Sequence, residues 1–140
     1  MVIAAGALLP TQAGMNYKLS QVVNSHILAA LISFIVGTVG LAAYFFVFDF
    51  KTLSIQNMGS APWWLWLGGL CGAFYVAMTI IAAPKLGATV MFTLFLTGQM
   101  AASLVLDHYG LIGFPVKEFS EWRIFGVILV VCGALIIKYV

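Results

Sequence analysis

The sequence predicts an all-α, polytopic membrane protein with about five transmembrane helices, and three observations carry that prediction. Of the 140 residues, 64% are hydrophobic and only 7% are charged, whereas a soluble domain has about a quarter of its residues charged. So few ionic groups cannot coat a water-facing surface. The apolar runs are also continuous over about 20 residues, the length a helix needs to cross a hydrocarbon core of about 30 Å. The third observation excludes the other membrane architecture: barrel strands alternate apolar and polar residues over segments of about ten, and these runs do not alternate.

The elements follow in order, with helices expected at about 1–22, 25–48, 62–83, 86–107 and 121–140. Together they make a single transmembrane domain over 1–140 with no room for a soluble one. The first apolar run, Met1 to Tyr17, contains Pro10. It lacks a basic start and a cleavage site before Thr11-Gln12, so it is expected to be a retained helix and not a signal peptide. The second run is bounded by His26 and Asp49, with Asn24, Ser25 and His26 as its cap. The third is expected to stop at Pro84-Lys85 and the fourth at Asp107-His108. The charge-free part of the fifth is Ile124 to Ile137, and Arg123 and Lys138 can snorkel to the interfaces. Trp63, Trp64, Trp66, Trp122 and Tyr139 mark span boundaries, where amphipathic rings prefer the headgroup layer.

Lysine and arginine in short loops set orientation in a membrane. The chain has six such residues. Lys18, Lys85 and Lys138 fall on one side, and Lys51, Lys117 and Arg123 on the other. This balance predicts insertion in both orientations and an antiparallel homodimer. Such a pair has the symmetry of an inverted-repeat transporter.

Small residues let membrane helices approach closely. Ala29, Ser33 and Gly37 recur every fourth position, Gly68 and Gly72 form a GxxxG pair, and Gly126 and Gly133 lie seven apart. All seven read as packing positions. Cys71 and Cys132 lie inside apolar runs and read as small buried hydrophobes.

Polar groups inside a bilayer are costly and mark function or structural bonding. The span centres carry no carboxylate or lysine, which argues against a proton relay. Gln12 and Asn16 lie four apart on one face of the first helix. Two residues before Gln12, Pro10 lacks an N–H, so the carbonyl of Gly6 loses its usual partner and a bend is expected. Tyr75 near the middle of the third span and Gln99 in the fourth are further candidates. The substrate-contacting set is thus Gln12, Asn16, Tyr75 and Gln99, with Gly6 and Pro10 supplying the kink and the free carbonyl. The alternative for Gln12 and Asn16 is hydrogen bonding to neighbouring helices. Thr89, Thr93 and Thr97 are expected to bond back to their own backbone.

No nucleophile–base pair, metal-ligand spacing, phosphate loop or basic stripe is present. The expectation is therefore no enzyme, no cofactor, no metal and no nucleic-acid partner.

The runs Gly6-Ala7-Leu8-Leu9-Pro10-Thr11-Gln12 with Asn16, Ala30 to Thr38, Pro62-Trp63-Trp64-Leu65-Trp66-Leu67-Gly68-Gly69, Gly98-Gln99 and Asp107-His108-Tyr109-Gly110-Leu111 carry a resemblance. The chain resembles the drug/metabolite transporter superfamily, and within it the small YdcZ-type family of five-helix inner-membrane proteins, over essentially its whole length. The resemblance implies a bacterial inner-membrane location, dual-topology pairing and export of a small molecule. More distantly the chain is similar to the small multidrug resistance exporters, which carry an essential glutamate in the first helix. Here Gln12 and Asn16 stand in that region, a departure that argues against proton-coupled export of a cation. Two neutral amides suit an uncharged or zwitterionic substrate better. The expected function is a small-molecule transporter, an exporter of a metabolite or drug-like compound, with a midplane site at a homodimer interface. The alternative is a non-transporting subunit that packs against a larger membrane partner.

Overall fold

In the computed structural model, residues 1–50, 59 and 61–139 are described. Lys51, counted in the charge balance, lies outside the described residues. Among the described residues the structure is all-α, with five α-helices: α1 (Val2–Val22), α2 (His26–Tyr44), α3 (Gly68–Leu86), α4 (Ala88–Tyr109) and α5 (Glu121–Tyr139). A π-helical turn, Phe45–Asp49, prolongs α2, and a 3-10 turn, Trp63–Leu67, leads into α3. Among the described residues, four segments are long and apolar enough to cross a membrane: His26–Asp49, Trp63–Leu86, Ala88–Tyr109 and Glu121–Tyr139. With its 21 residues, α1 has the length but not the apolar character. Its second half carries Thr11, Gln12, Asn16, Lys18, Ser20 and Gln21. The expectation of five spans is therefore met by four segments and one more polar helix.

The chain divides into two compact units, Met1–Lys85 and Leu86–Val140. In the first, α1 and α2 are joined by a three-residue turn. Asn24 takes a left-handed conformation (φ 53°), which asparagine tolerates better than most residues. Ser25 is extended, and its hydroxyl accepts from the Leu28 N–H at 3.2 Å, satisfying an amide that the helix start leaves open. The core of this unit is Ala29, Ala30, Val76 and Ile80, with Leu19, Val23, Tyr75 and Ala77 packed against it. Two consecutive alanines on α2 let the larger side chains of α3 come close. Gly72 serves the same end: a Cβ there would meet the Phe34 ring at 3.5 Å.

The remaining glycines of the expected packing stripes behave differently. A Cβ at Gly37, Gly68, Gly126 or Gly133 would meet nothing within 4 Å. Among the described residues these positions make no close helix contact. Cys71 and Cys132 are free thiols and are exposed, so the expected burial among protein side chains does not occur. Both sit on outward faces, where a bilayer would be their surroundings.

Helix ends also depart from expectation. Pro84 does not stop α3, which continues to Leu86. Proline removes one bond, to the carbonyl four residues back, and this close to a helix end few bonds remain to be lost. The stop is Gly87, at φ 75° and ψ 158°, a region essentially restricted to glycine. Gly87→Ala is expected to lower stability by about 1–3 kcal/mol through the backbone alone, since nothing lies within 4 Å of the added Cβ. Thermal unfolding of the purified variant checks this, and an unchanged midpoint would contradict it.

In the second unit, α4 runs through Asp107-His108 to Tyr109 and ends where Gly110 turns left-handed (φ 59°). The connection to α5 is held by specific bonds. The Asp107 carbonyl accepts from the Lys117 N–H at 2.8 Å, and its carboxylate pairs with Arg123 at 3.4 Å. His108 Nδ1 accepts from the Phe119 N–H at 3.3 Å, and its ring stacks on that of Phe119 at 4.0 Å. The Asp-His-Tyr-Gly-Leu corner is thus a structural fastening between two antiparallel helices. Trp63 and Trp122 are strongly exposed, as interface anchors would be.

Candidate functional site

The first unit contains a cleft of about 450 Å³ between α1 and α2. From α1 it is lined by Leu8, Thr11, Gln12, Met15, Asn16 and Leu19, and from α2 by Ile32, Ser33 and Val36. Its volume falls in the range of small-molecule sites, about 300–1,000 Å³. A smaller pocket of about 190 Å³ adjoins it, sharing Gln12 and Ser33 and adding Phe34, Gly37, Thr38 and Leu41. In the 24-residue span His26–Asp49, Gly37 and Thr38 occupy the middle. At 1.5 Å per residue these two residues lie roughly 17 Å from either end of that segment.

α1 crosses this region without interruption. Pro10 stands inside a continuous helix, so the expected bend does not become a break. The neighbouring Thr11 hydroxyl donates to the Ala7 carbonyl at 3.4 Å, which leaves its oxygen lone pairs facing outward as acceptors. Ala13, Asn16 and Ser20 form the buried face of α1. The Ser20 hydroxyl donates to the Tyr17 carbonyl at 2.7 Å and is thereby satisfied. Asn16 is not. It is 6% exposed, and its Nδ2 is buried with no hydrogen-bond partner. Native proteins leave few buried donors unpaired, and each such group costs about 1–3 kcal/mol.

The four expected contact residues separate accordingly. Gln12 and Asn16 both line the cleft, Gln12 exposed and Asn16 buried. Tyr75 instead packs against the core of Ala29, Ala30, Val76 and Ile80 and lines none of the pockets described above. Gln99 belongs to the second unit, on α4, and its side chain is exposed. Thr93 and Thr97 bond back to the carbonyls of Thr89 and Thr93, at 2.7 and 2.9 Å, as threonines in helices tend to do. Ser33 and Phe34 were not among the expected contacts. A serine in a small-residue stripe reads as packing, and only the arrangement of α1 beside α2 turns it into a cleft wall. Among the described residues no three His, Cys, Asp or Glu side chains group as metal ligands.

The cleft is lined by neutral side chains and contains an unpaired amide. Comparison with known proteins decides the family. Residues 1–136 match the family described as "Putative inner membrane exporter, YdcZ". The chain belongs to the YdcZ family. Its family name places it in the drug/metabolite transporter superfamily. The chain is similar to the inner membrane protein YdcZ of Escherichia coli (strain K12), with 26% identity over 136 residues covering 97% of this chain and 91% of that protein. No solved structure matches. The match to the YdcZ family makes this chain an inner-membrane protein of an exporter family, not an enzyme family.

Proposed function

We propose that the chain exports a small molecule, working as an antiparallel homodimer, with substrate held in the α1–α2 cleft. The observation that carries this is the buried, unpartnered Asn16 amide beside Gln12. A donor that costs stability and bonds to nothing in the chain is explained by a ligand that bonds to it. The dimer is supported by the charge balance. Lys18 lies in the polar second half of α1, about one turn before the connection to α2, so its side is fixed by α2 whether or not α1 spans. The three-to-three tally is therefore the same with four spans as with five. Two inverted copies exchanging two equivalent asymmetric states would give alternating access. Tyr75, against the core, would reach substrate only in another conformation, and Gln99 on α4 remains a proposed contact.

The test uses Gln12→Ala in protein reconstituted into vesicles. Transport is expected to fall to the level of empty vesicles, while chemical cross-linking still gives a dimer, because Gln12 is exposed and its truncation leaves the core of Ala29, Ala30, Val76 and Ile80 untouched. Loss of the dimer would instead make Gln12 an interhelical bond. Full transport would remove it from the site.

A further inference from the structure

We infer that the site takes amphipathic molecules whose polar head is uncharged and bears hydrogen-bond acceptors, with the head in the α1–α2 cleft and the apolar tail lying between α2 and α3. This inference rests on the cleft being the substrate site.

The three pockets share wall residues around α2. Beyond the pockets already described lies an apolar groove of about 430 Å³ between α2 and α3, lined by Ile27, Ala30, Leu31, Phe34, Ala73, Phe74, Ala77 and Met78. Phe34 lines both this groove and the small pocket that holds Gln12 and Ser33. Residues on a helix advance about 100° each. Ile32, Ser33 and Val36 therefore face α1, Gly37 comes next around the cylinder, and Ile27, Ala30, Leu31 and Phe34 face α3. One molecule bent around Phe34 would meet polar groups at one end and only hydrocarbon at the other.

The chemistry of the walls selects the head. No charged side chain lines any of the three pockets, so a cation or anion would enter without a counter-charge, which a low-dielectric site disfavours. The unsatisfied group is a donor, Asn16 Nδ2. The torsion about the Asn16 Cβ–Cγ bond is soft, so a small rotation presents that donor to the cleft. Thr11, whose proton is committed to Ala7, offers an acceptor for a head-group hydroxyl. A polyhydroxylated or amide head matches this set, and a quaternary ammonium offers no acceptor to Asn16.

The experiment uses the full-length protein in lipid nanodiscs and two photoactivatable probes. One is an octyl glucoside with a diazirine at the end of its chain. The other carries the same tail on a trimethylammonium head. The glucoside is expected to label Phe34, Phe74 and Met78, with labelling reduced about tenfold in Asn16→Leu, as expected for a lost hydrogen bond. The trimethylammonium probe is expected to give no labelling above that of an unrelated membrane protein. If both heads label equally and both depend on Asn16, the choice of an uncharged head is overturned while the site stands. Labelling spread over all helices and indifferent to Asn16→Leu would overturn the site as well. Thermal unfolding of Asn16→Leu confirms that any loss of labelling comes from a folded protein.

Discussion

Asn16→Leu is expected to reduce transport about tenfold to a hundredfold while leaving the protein at least as stable as wild type. The two halves of this result have one cause. The amide is buried and its Nδ2 has no partner, so the side chain carries a desolvation cost of about 1–3 kcal/mol without a compensating bond. Leucine has the same number and branching of side-chain heavy atoms, no polar atom and a better helix propensity. Stability should therefore rise by about 1 kcal/mol. Proteins that gain stability by losing a functional polar group show the trade between stability and activity expected of strained sites. If Asn16 were an interhelical bond instead, the same substitution would lower both stability and assembly. Thermal unfolding and vesicle transport, measured on one preparation, separate the two cases.

Gly110→Ala is expected to destabilise the second unit by about 2–4 kcal/mol. Gly110 closes α4 at φ 59°, where an L-residue with a Cβ loses about 1–2 kcal/mol. The added carbon would also lie 2.6 Å from Val116 Cγ2 and 3.3 Å from the Phe114 carbonyl oxygen. Val116 is exposed and can swing aside, but the Phe114 backbone cannot without disturbing the bonds that fasten Lys117 and Phe119 to Asp107 and His108. The double substitution Gly110→Ala with Val116→Ala should recover only the side-chain part of the loss. Limited proteolysis of the 110–120 connection gives a second readout, with faster cleavage in Gly110→Ala. Equal cleavage and equal unfolding midpoints would contradict this role for the corner.

How much of this was legible in the sequence depends on how local each signal is. Bilayer residence is written in composition, and four of the five helices are written in apolar runs bounded by Asn24-Ser25-His26, Pro62-Trp63, Pro84-Lys85 and Asp107-His108, with the more polar α1 before them. The end of α3 was misplaced because Pro84 reads as a stop, whereas the backbone that stops the helix belongs to Gly87. Gln12 and Asn16 share a face whatever they pack against, so their pairing at one cleft follows from helix periodicity alone. Tyr75 and Gln99 could not be placed in that way, because which face of a helix turns inward is decided by its neighbours. Tyr75 turned toward the alanine-lined core. Ser33 and Phe34 acquired their positions only once α2 had α1 on one side and α3 on the other.

The inverted pair is tested most directly by orientation. Ala88 and Pro115 are exposed and flank α4, whose 22 residues make a rise of roughly 33 Å, enough to separate the two faces of a bilayer. Neither residue is charged, so a cysteine at either leaves the three-to-three balance unaltered. Each would be introduced singly, in a background with Cys71 and Cys132 replaced by alanine, and intact cells treated with an impermeant thiol reagent. An exporter made of two inverted copies gives partial labelling at both Ala88→Cys and Pro115→Cys. Complete labelling at one and none at the other would show a single fixed orientation, and the antiparallel homodimer would be excluded.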